Sequence, residues 1–427
     1  MVTQRVLVIG AGMVAGPAIE YLSQFYPVHI VDIKLENINK VLDTIRQQRG
    51  NTDGITHSVS PEPPELERLI EEHDVVIGLT QASLLPGFAE QCVRHGTHFV
   101  TSSYAGPEMR ALDKAARAKG VTLLNECGLD PGLDHMSAAA LIESIHRERA
   151  RICSFESHCG GVPAQADANP IGYKVSWSPV QVLRSAKASA KFLRGGTPVL
   201  IENGALYNNT FPVTVFNTPY EGFYNRDAFP YLRAYGLERE LEKGTFIRGT
   251  LRHPGWGSFM QSLQLLGYLD ETPLNGERNY RDVLSTLLHR NVNGDARAHV
   301  AARLGMPEHD RVLSQLDYLG LFSNQQLPKN CSTPLSLLAE TMRQRLAYKE
   351  GEQDAVVMQH CADVRYPEGN MIRLTSSMRY EGNGWSAMAT TVGLPVALAA
   401  EQLLTGSVVE RGVLLPTSPE IYRPVLE

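Results

Sequence analysis

Gly10-Ala11-Gly12-Met13-Val14-Ala15 follows a β-branched run, Arg5–Ile9, and opens a stretch from Val14 to Phe25 with helical apolar spacing. These are the residue types that holding a dinucleotide pyrophosphate requires. Gly10 permits a tight turn and Gly12 lets backbone approach the anion. Ala15, in place of a third glycine, allows close helix–strand packing while helix N–H groups face the phosphates. A second short apolar run, Val28–Asp32, ends in a carboxylate where the ribose hydroxyls of an adenosine would donate to it. The same carboxylate repels a 2′-phosphate, so the expected cofactor is NAD. Lys34 offsets part of that repulsion and keeps NADP possible.

Asn125-Glu126-Cys127-Gly128-Leu129-Asp130-Pro131-Gly132-Leu133-Asp134-His135 places three carboxylates and a histidine where a strand ends and a helix begins. In open α/β sheets ligands bind at such carboxyl ends. The alternative is helix capping, with Asp130 before Pro131 as an N-cap and Asp134 and His135 on a solvated first turn. Two turn-rich segments, 157–163 and 169–178, read as binding loops. Asn225-Arg226-Asp227 and Arg248-Gly249-Thr250-Leu251-Arg252 add guanidinium groups suited to bidentate carboxylate capture, although an isolated arginine is more often a surface ion pair.

Alternating short strands and helices position these groups. Asp74–Leu79, His98–Thr101 and Val121–Glu126 read as further strands, with helices near 84–95, 107–119 and 133–146. This rhythm specifies βαβ units and a parallel sheet covered on both faces. Beyond residue 150 the pattern becomes α+β, with strand runs at Arg151–His158, Pro212–Phe216 and Thr245–Leu251. A helical stretch follows from Asn279 to about Glu350, then strands near 354–365 and 371–379. Trp385–Leu404 has helical periodicity, with Gly406 as its C-cap.

The 427 residues are 43% hydrophobic and 20% charged, enough for two or three domains with ample core. The net charge of −6 lacks the basic footprint of a nucleic-acid binder or membrane-surface protein. No apolar run approaches the ~20 residues of a membrane helix, and no secretory signal precedes the first strand. The six cysteines, Cys92, Cys127, Cys153, Cys159, Cys331 and Cys361, form no CxxC pair and read as reduced thiols in a cytoplasmic protein. Histidines and cysteines show no metal-ligand spacing.

Taken together, these strings resemble the saccharopine dehydrogenase family, more closely its L-glutamate-forming branch. The likeness runs through VTSSYAGPEMRALDKAAR at 100–117, NECGLDPGLDHM at 125–136 and CGGVPAQADANPIGYKVSWSP at 159–179. It continues through NRD at 225–227, RGTLR at 248–252, GWSAMATTVGLPVALAAE at 384–401 and RGVLLP at 411–416. The resemblance implies a Rossmann dinucleotide-binding domain over 1–130, completed by 385–427. It implies a central α+β substrate and dimerisation domain over 131–280 and 351–384, a helical insertion over 281–350, and a homodimer. Gly10, Gly12, Met13, Val14, Asp32, Ile33, Thr80, Ser102 and Leu129 would line the dinucleotide. Ser103, Tyr104, Asp130, Trp177, Arg226, Arg248 and Thr250 would contact the substrate, a polycarboxylate amino acid. The implied reaction oxidises the CH–NH of saccharopine in lysine metabolism. Asp130 would relay protons with Tyr104 as partner, and Arg226 and Arg248 would clamp carboxylates. Cys159 would lie near the site or serve as a small apolar filler, while His135 and His158 are secondary candidates. The family's Pro-Tyr-x-x-His pattern after the fourth strand is replaced here by Leu79-Thr80-Gln81-Ala82-Ser83-Leu84-Leu85. Two other readings stay open: a dehydrogenase of another secondary amine, opine-like or polyamine-derived, and a catalytically silent dinucleotide-binding scaffold.

Overall fold

Four strands of the first sheet are buried along nearly their whole length, because helices cover both faces of a parallel sheet. They are β1 (Val6–Ile9), β4 (Val75–Gly78), β5 (His98–Thr101) and β6 (Thr122–Leu124). With β2 (Val28–Asp32), β3 (Ile55–Val59) and β15 (Gly412–Leu414) they form a parallel seven-stranded sheet in the order β15-β6-β5-β4-β1-β2-β3. The structure is a computed structural model and describes residues 4–292, 294–329 and 331–427. Alternate residues of β1 enter opposite cores. Val6 and Val8 pack with Ile19, Ile30 and Val396, whereas Leu7 and Ile9 pack with Val76, Phe99 and Leu123.

The covering helices are α1 (Gly16–Leu22), α2 (Leu35–Arg49), α3 (Pro63–Glu71), α4 (Leu85–His95), α5 (Pro107–Ala111), α6 (Asp113–Lys119) and α7 (Leu133–Arg147). The helix expected near 107–119 is two, divided at Leu112. The strand expected to reach Glu126 stops at Leu124, because Glu126 turns into the left-handed region (φ 61°). The chain returns to this unit in α15 (Ala387–Leu404), β15 and α16 (Pro419–Leu426). The expected boundary at 130 moves to 150, so the unit comprises Met1–Ala150 and Gly382–Glu427. Helix α7 belongs here because Met136 lies in the first core and Glu143 accepts hydrogen bonds from Tyr422 and Arg423 of α16. Contrary to the sequence expectation, α15 is long and apolar enough to cross a membrane by length and composition. It is 72% buried within the protein and packs against α1.

The second unit, Arg151–Glu381, is a mixed sheet in the order β10-β11-β12-β7-β13-β14, with a β8–β9 hairpin attached to β12. Its strands are β7 (Arg151–Pro163), β8 (Ala190–Arg194), β9 (Thr197–Ile201), β10 (Phe211–Val215), β11 (Thr218–Tyr224), β12 (Thr245–Arg252), β13 (Asp354–Arg365) and β14 (Met371–Glu381). β7 and β12 run parallel, and their other neighbours are antiparallel. Three helices sit between strands: α8 (Pro179–Ser185), α9 (Phe229–Ala234) and α10 (Trp256–Leu265). The stretch expected to be helical contains α11 (Tyr280–Leu287), α12 (Ala296–Leu304), α13 (Arg311–Tyr318) and α14 (Pro334–Arg345). These helices anchor the loop carrying Trp177. Arg311 and Gln315 of α13 donate to the Pro170 carbonyl, and the Val175 N–H donates to Leu346 O just past α14. Lys174, nearly fully buried, pairs with Glu352 at 2.6 Å.

Candidate functional site

The chemistry-bearing residues form two groups, one on each unit. On the first unit they lie at the carboxyl ends of β1, β2, β4, β5 and β6. β1 leads through α1 to β2 on one side, while β4 lies on its other side, which makes the β1–β4 boundary the switch point where such sheets bind ligands. Gly10 donates its N–H to Val31 O at 2.7 Å with φ at +107°. A Cβ there would stand 2.4 Å from Leu79 O, so the turn rests on the segment carrying Thr80. At Gly12 a Cβ would meet nothing within 4 Å, which leaves open space above backbone, as a pyrophosphate requires. Asp32 fastens the turn. Its Oδ2 accepts the Ala11 N–H at 2.8 Å, and its Oδ1 accepts the Lys34 N–H at 2.8 Å and Asn37 Nδ2 at 3.0 Å. Met13 and Ile33, on the two segments joined by Asp32, are 54% and 73% exposed. Val14 is half-buried. Apolar side chains held in water beside a glycine turn suit the adenosine end of a dinucleotide.

Beyond β5 and β6 two loops meet. The Gly128 Cα lies so close to Ser102 that a Cβ would stand 2.8 Å from that side chain, bringing Ser102 beside the Gly128–Leu129 segment. Leu129 itself is buried. Ser103 is half-buried and donates its N–H to Thr101 Oγ1. Tyr104 Oη donates to Asp130 Oδ1 at 3.4 Å, so the structure brings together the two residues expected to handle the proton. The capping reading fails. Helix α7 starts at Leu133 with Gly132 as N-cap, so Asp130 does not cap it. Asp134 and His135 are buried rather than solvated: Asp134 Oδ1 accepts the Gly132 N–H at 2.7 Å, and His135 Nε2 stands 3.2 Å from Glu126 Oε2. Sequence reasoning did not single out Glu126. Its only signal is that it is the first of the three carboxylates in the 125–135 string, just past the end of a mostly apolar strand.

On the second unit, strand register decides which side chains meet. Thr250 pairs with Cys159 and Arg248 with Ser157 across the parallel β12–β7 ladder. Alternation then puts Arg248, Thr250 and Arg252 on the face shared by Ser157 and Cys159. Stacking of Phe246 on Phe155, with ring centroids 6.1 Å apart, marks the same face. The Arg248 guanidinium lies 4.3 Å from the Tyr231 ring centroid, a cation–π contact that helps to hold the group in place. Asn225 donates its N–H to Arg248 O, and the exposed Arg226 follows with φ 48°. The two arginines therefore sit on adjoining backbone. Trp177 is half-buried, four residues after the buried Tyr173, whose ring lies 4.5 Å from that of Trp256. Arg252 stacks over both rings, so the Trp177 loop is tied to the end of β12.

Two expectations shift. Cys159 is only 2% exposed, a covered thiol beside Thr250. His158 alternates to the opposite sheet face, 3.3 Å from Glu156 and against Phe211, so it does not join Arg248 and Thr250. All six cysteines are free thiols. Among the described residues no group of three His, Cys, Asp or Glu side chains is placed to hold a metal ion.

The family model described as the saccharopine dehydrogenase NADP binding domain matches residues 6–124, and that of the saccharopine dehydrogenase C-terminal domain matches residues 128–427. The chain belongs to the saccharopine dehydrogenase family. It is 34% identical to the rat mitochondrial alpha-aminoadipic semialdehyde synthase over 438 residues, covering 99% of this chain but 46% of that protein. The chain thus spans about half the length of that relative. It is 32% identical to the NADP(+), L-glutamate-forming saccharopine dehydrogenase of Schizosaccharomyces pombe, covering 99% of this chain and 96% of that one. Among solved structures, apo L-glutamate-forming saccharopine dehydrogenase from Saccharomyces cerevisiae superposes with a TM-score of 0.84 at 30% identity, covering 99% and 96% of the two chains. The matched dinucleotide-binding domain lies within the first unit, and the Gly12 turn fastened by Asp32 fits such a group.

Proposed function

We propose that this chain interconverts saccharopine with L-glutamate and 2-aminoadipate 6-semialdehyde, using a nicotinamide dinucleotide and water. The observation that carries this reading is the tether between Arg226 and Arg248. Adjoining backbone carries the two arginines, with Thr250 two residues beyond Arg248 on the same strand, an arrangement suited to a substrate with several carboxylates rather than to a polyamine. The names of the relatives that match over nearly their full length support the same substrate.

When bound, the dinucleotide supplies the hydride acceptor. The chain's own residues do the rest. Arg226 and Arg248 hold carboxylates, and Thr250 and Trp177 bound the substrate. Saccharopine must lose a proton from its secondary amine before the adjacent carbon gives up hydride. Asp130 takes that proton, with the Tyr104 O–H orienting its carboxylate. Water then adds to the imine carbon, and the proton returned to nitrogen lets the C–N bond break, releasing glutamate and the aldehyde.

Asp32 supports NAD in preference to NADP, although the full-length relatives carry NADP(+) in their names. We also infer pairing with a second copy through the second unit. β14 supports this, as an eleven-residue edge strand with Met371 and Ile372 half exposed. Light scattering in solution tests it: a dimer is expected, and a monomer at micromolar concentration would overturn it. The main test is formation of reduced nicotinamide from saccharopine by the purified chain, with NAD and NADP supplied separately. Turnover is expected. Cofactor binding without turnover on saccharopine would overturn the assignment and leave the silent scaffold.

A further inference from the structure

Glu126 is a buried, acidic, non-glycine residue in left-handed backbone, with φ 61° and 1% exposure. That conformation costs about 1–2 kcal/mol and persists only where surrounding bonds require it. Those bonds surround Tyr104. The Glu126 N–H donates to Ser103 O at 3.1 Å, and Glu126 Oε1 accepts the Ala105 N–H at 3.0 Å. One residue therefore holds the peptide groups on both sides of Tyr104. A glycine at 126 would relieve the backbone but would lose the side-chain half of this bracket. The second carboxylate oxygen is fixed in turn. His135 Nε2 lies 3.2 Å from Glu126 Oε2, and His135 Nδ1 lies 3.6 Å from Asp134 Oδ2. Asp134 is anchored to the start of α7 through the Gly132 N–H. Asp130 lies in the loop closed between Glu126 and His135, so this buried array spans both members of the Tyr104–Asp130 pair.

We propose that Glu126 and His135 are positioning residues for the Tyr104–Asp130 pair. Glu126 fixes the Ser103–Ala105 turn, and His135 fixes Glu126. Neither touches substrate. The inference rests on the reading that Tyr104 and Asp130 handle the proton in saccharopine oxidation. A displacement of about 1 Å in such a pair costs on the order of 10²-fold in rate.

The test combines hydrogen–deuterium exchange over residues 102–106 with steady-state kinetics on the full chain. Losing the Glu126 acceptor in Glu126→Ala, or the 3.2 Å contact that steadies it in His135→Ala, should speed Ala105 amide exchange about 10-fold. In the same variants kcat should fall about 10- to 100-fold, while the dinucleotide Kd stays within about twofold. Glu126→Gln, whose carbonyl still accepts from Ala105, should recover most of both losses. If the alanine variant does not fold, Glu126→Gly carries the test, since it removes the side-chain bond while relieving the backbone. Three results would overturn the proposal: wild-type exchange at Ala105 in His135→Ala, an unchanged kcat in Glu126→Ala, or a Glu126→Gln variant as slow as the alanine one. The exchange measurement needs no substrate. A wild-type chain inactive on saccharopine would sink the functional reading, while the exchange data would still decide the positioning role.

Discussion

Replacing Asp32 by asparagine separates the two tasks of one carboxylate. The first is electrostatic. A 2′-phosphate bound where ribose hydroxyls would meet Asp32 puts two negative charges about 4 Å apart. One such pair costs about 4 kcal/mol at an effective dielectric near 20 and about 1 kcal/mol in bulk water. Asp32 is half-buried at the rim of the sheet, and the exposed Lys34 stands two residues on, so a value of about 2–3 kcal/mol is expected. That is a preference for NAD of roughly 30- to 150-fold in kcat/KM. The second task is structural. Oδ2 holds Ala11, while Oδ1 holds Lys34 and Asn37. Asparagine keeps one acceptor oxygen, so either the Gly-rich turn or the α2 entry loses its bond, at about 1 kcal/mol where water can substitute. Asp32→Asn should therefore bring the NAD:NADP ratio to within about 10-fold of unity, with a small fall in Tm. Initial rates with each cofactor, alongside a melting curve, read both effects. A wild-type chain that favours NADP, or an Asp32→Asn chain with an unmoved ratio, would refute the electrostatic argument.

Arg248→Met should raise the KM for saccharopine about 30- to 100-fold with a smaller change in kcat, since it removes a charge-assisted clamp; an unchanged KM takes Arg248 out of the clamp. Tyr104→Phe removes the O–H bonded to Asp130 and should lower kcat about 10-fold or more, while dinucleotide affinity, measured by fluorescence, holds. His29 is pushed down to about 4, first by burial and then by the neighbouring His73 and His57. Its folded form thus binds fewer protons than the unfolded chain: its stability contribution is full above about pH 6.5 and is lost as pH falls toward 4. The shift bounds this contribution at about 3 kcal/mol, and solvent screening of a half-exposed ring reduces it to about 1. Denaturant midpoints measured across that window should fall in the wild type and fall less in His29→Gln.

How far sequence leads depends on whether a feature is local. The Gly10–Ala15 turn and Asp32 are legible because strand, turn, helix and carboxylate lie within one contiguous unit, and each residue type has one steric or electrostatic task. The central strands are legible for the same reason, being short β-branched runs stopped by glycine or charge. Edge elements are not. β3 exposes His57 and Val59, which erases any period, and β15 is three residues that join the sheet by pairing with Thr122–Leu124, almost 300 positions away. Domain limits fail where tertiary contact overrides chain order, as when α16 reaches back to Glu143 and draws α7 into the first unit.

The site divides along the same line. Motif strings name Tyr104 and Asp130, Arg248 and Thr250, yet they do not say which faces meet. Strand parity separates His158 from Cys159 by a single residue, and only the β7–β12 register shows that Cys159 faces Thr250 while His158 turns to Glu156. Glu126 is the harder case. Its role requires a left-handed non-glycine backbone, a turn from one loop and an imidazole from the next helix, brought together by the fold. No spacing rule encodes three converging segments. A carboxyl group buried at that cost, however, demands partners, and tracing those partners is what turns Glu126 from an anomaly into a support for Tyr104.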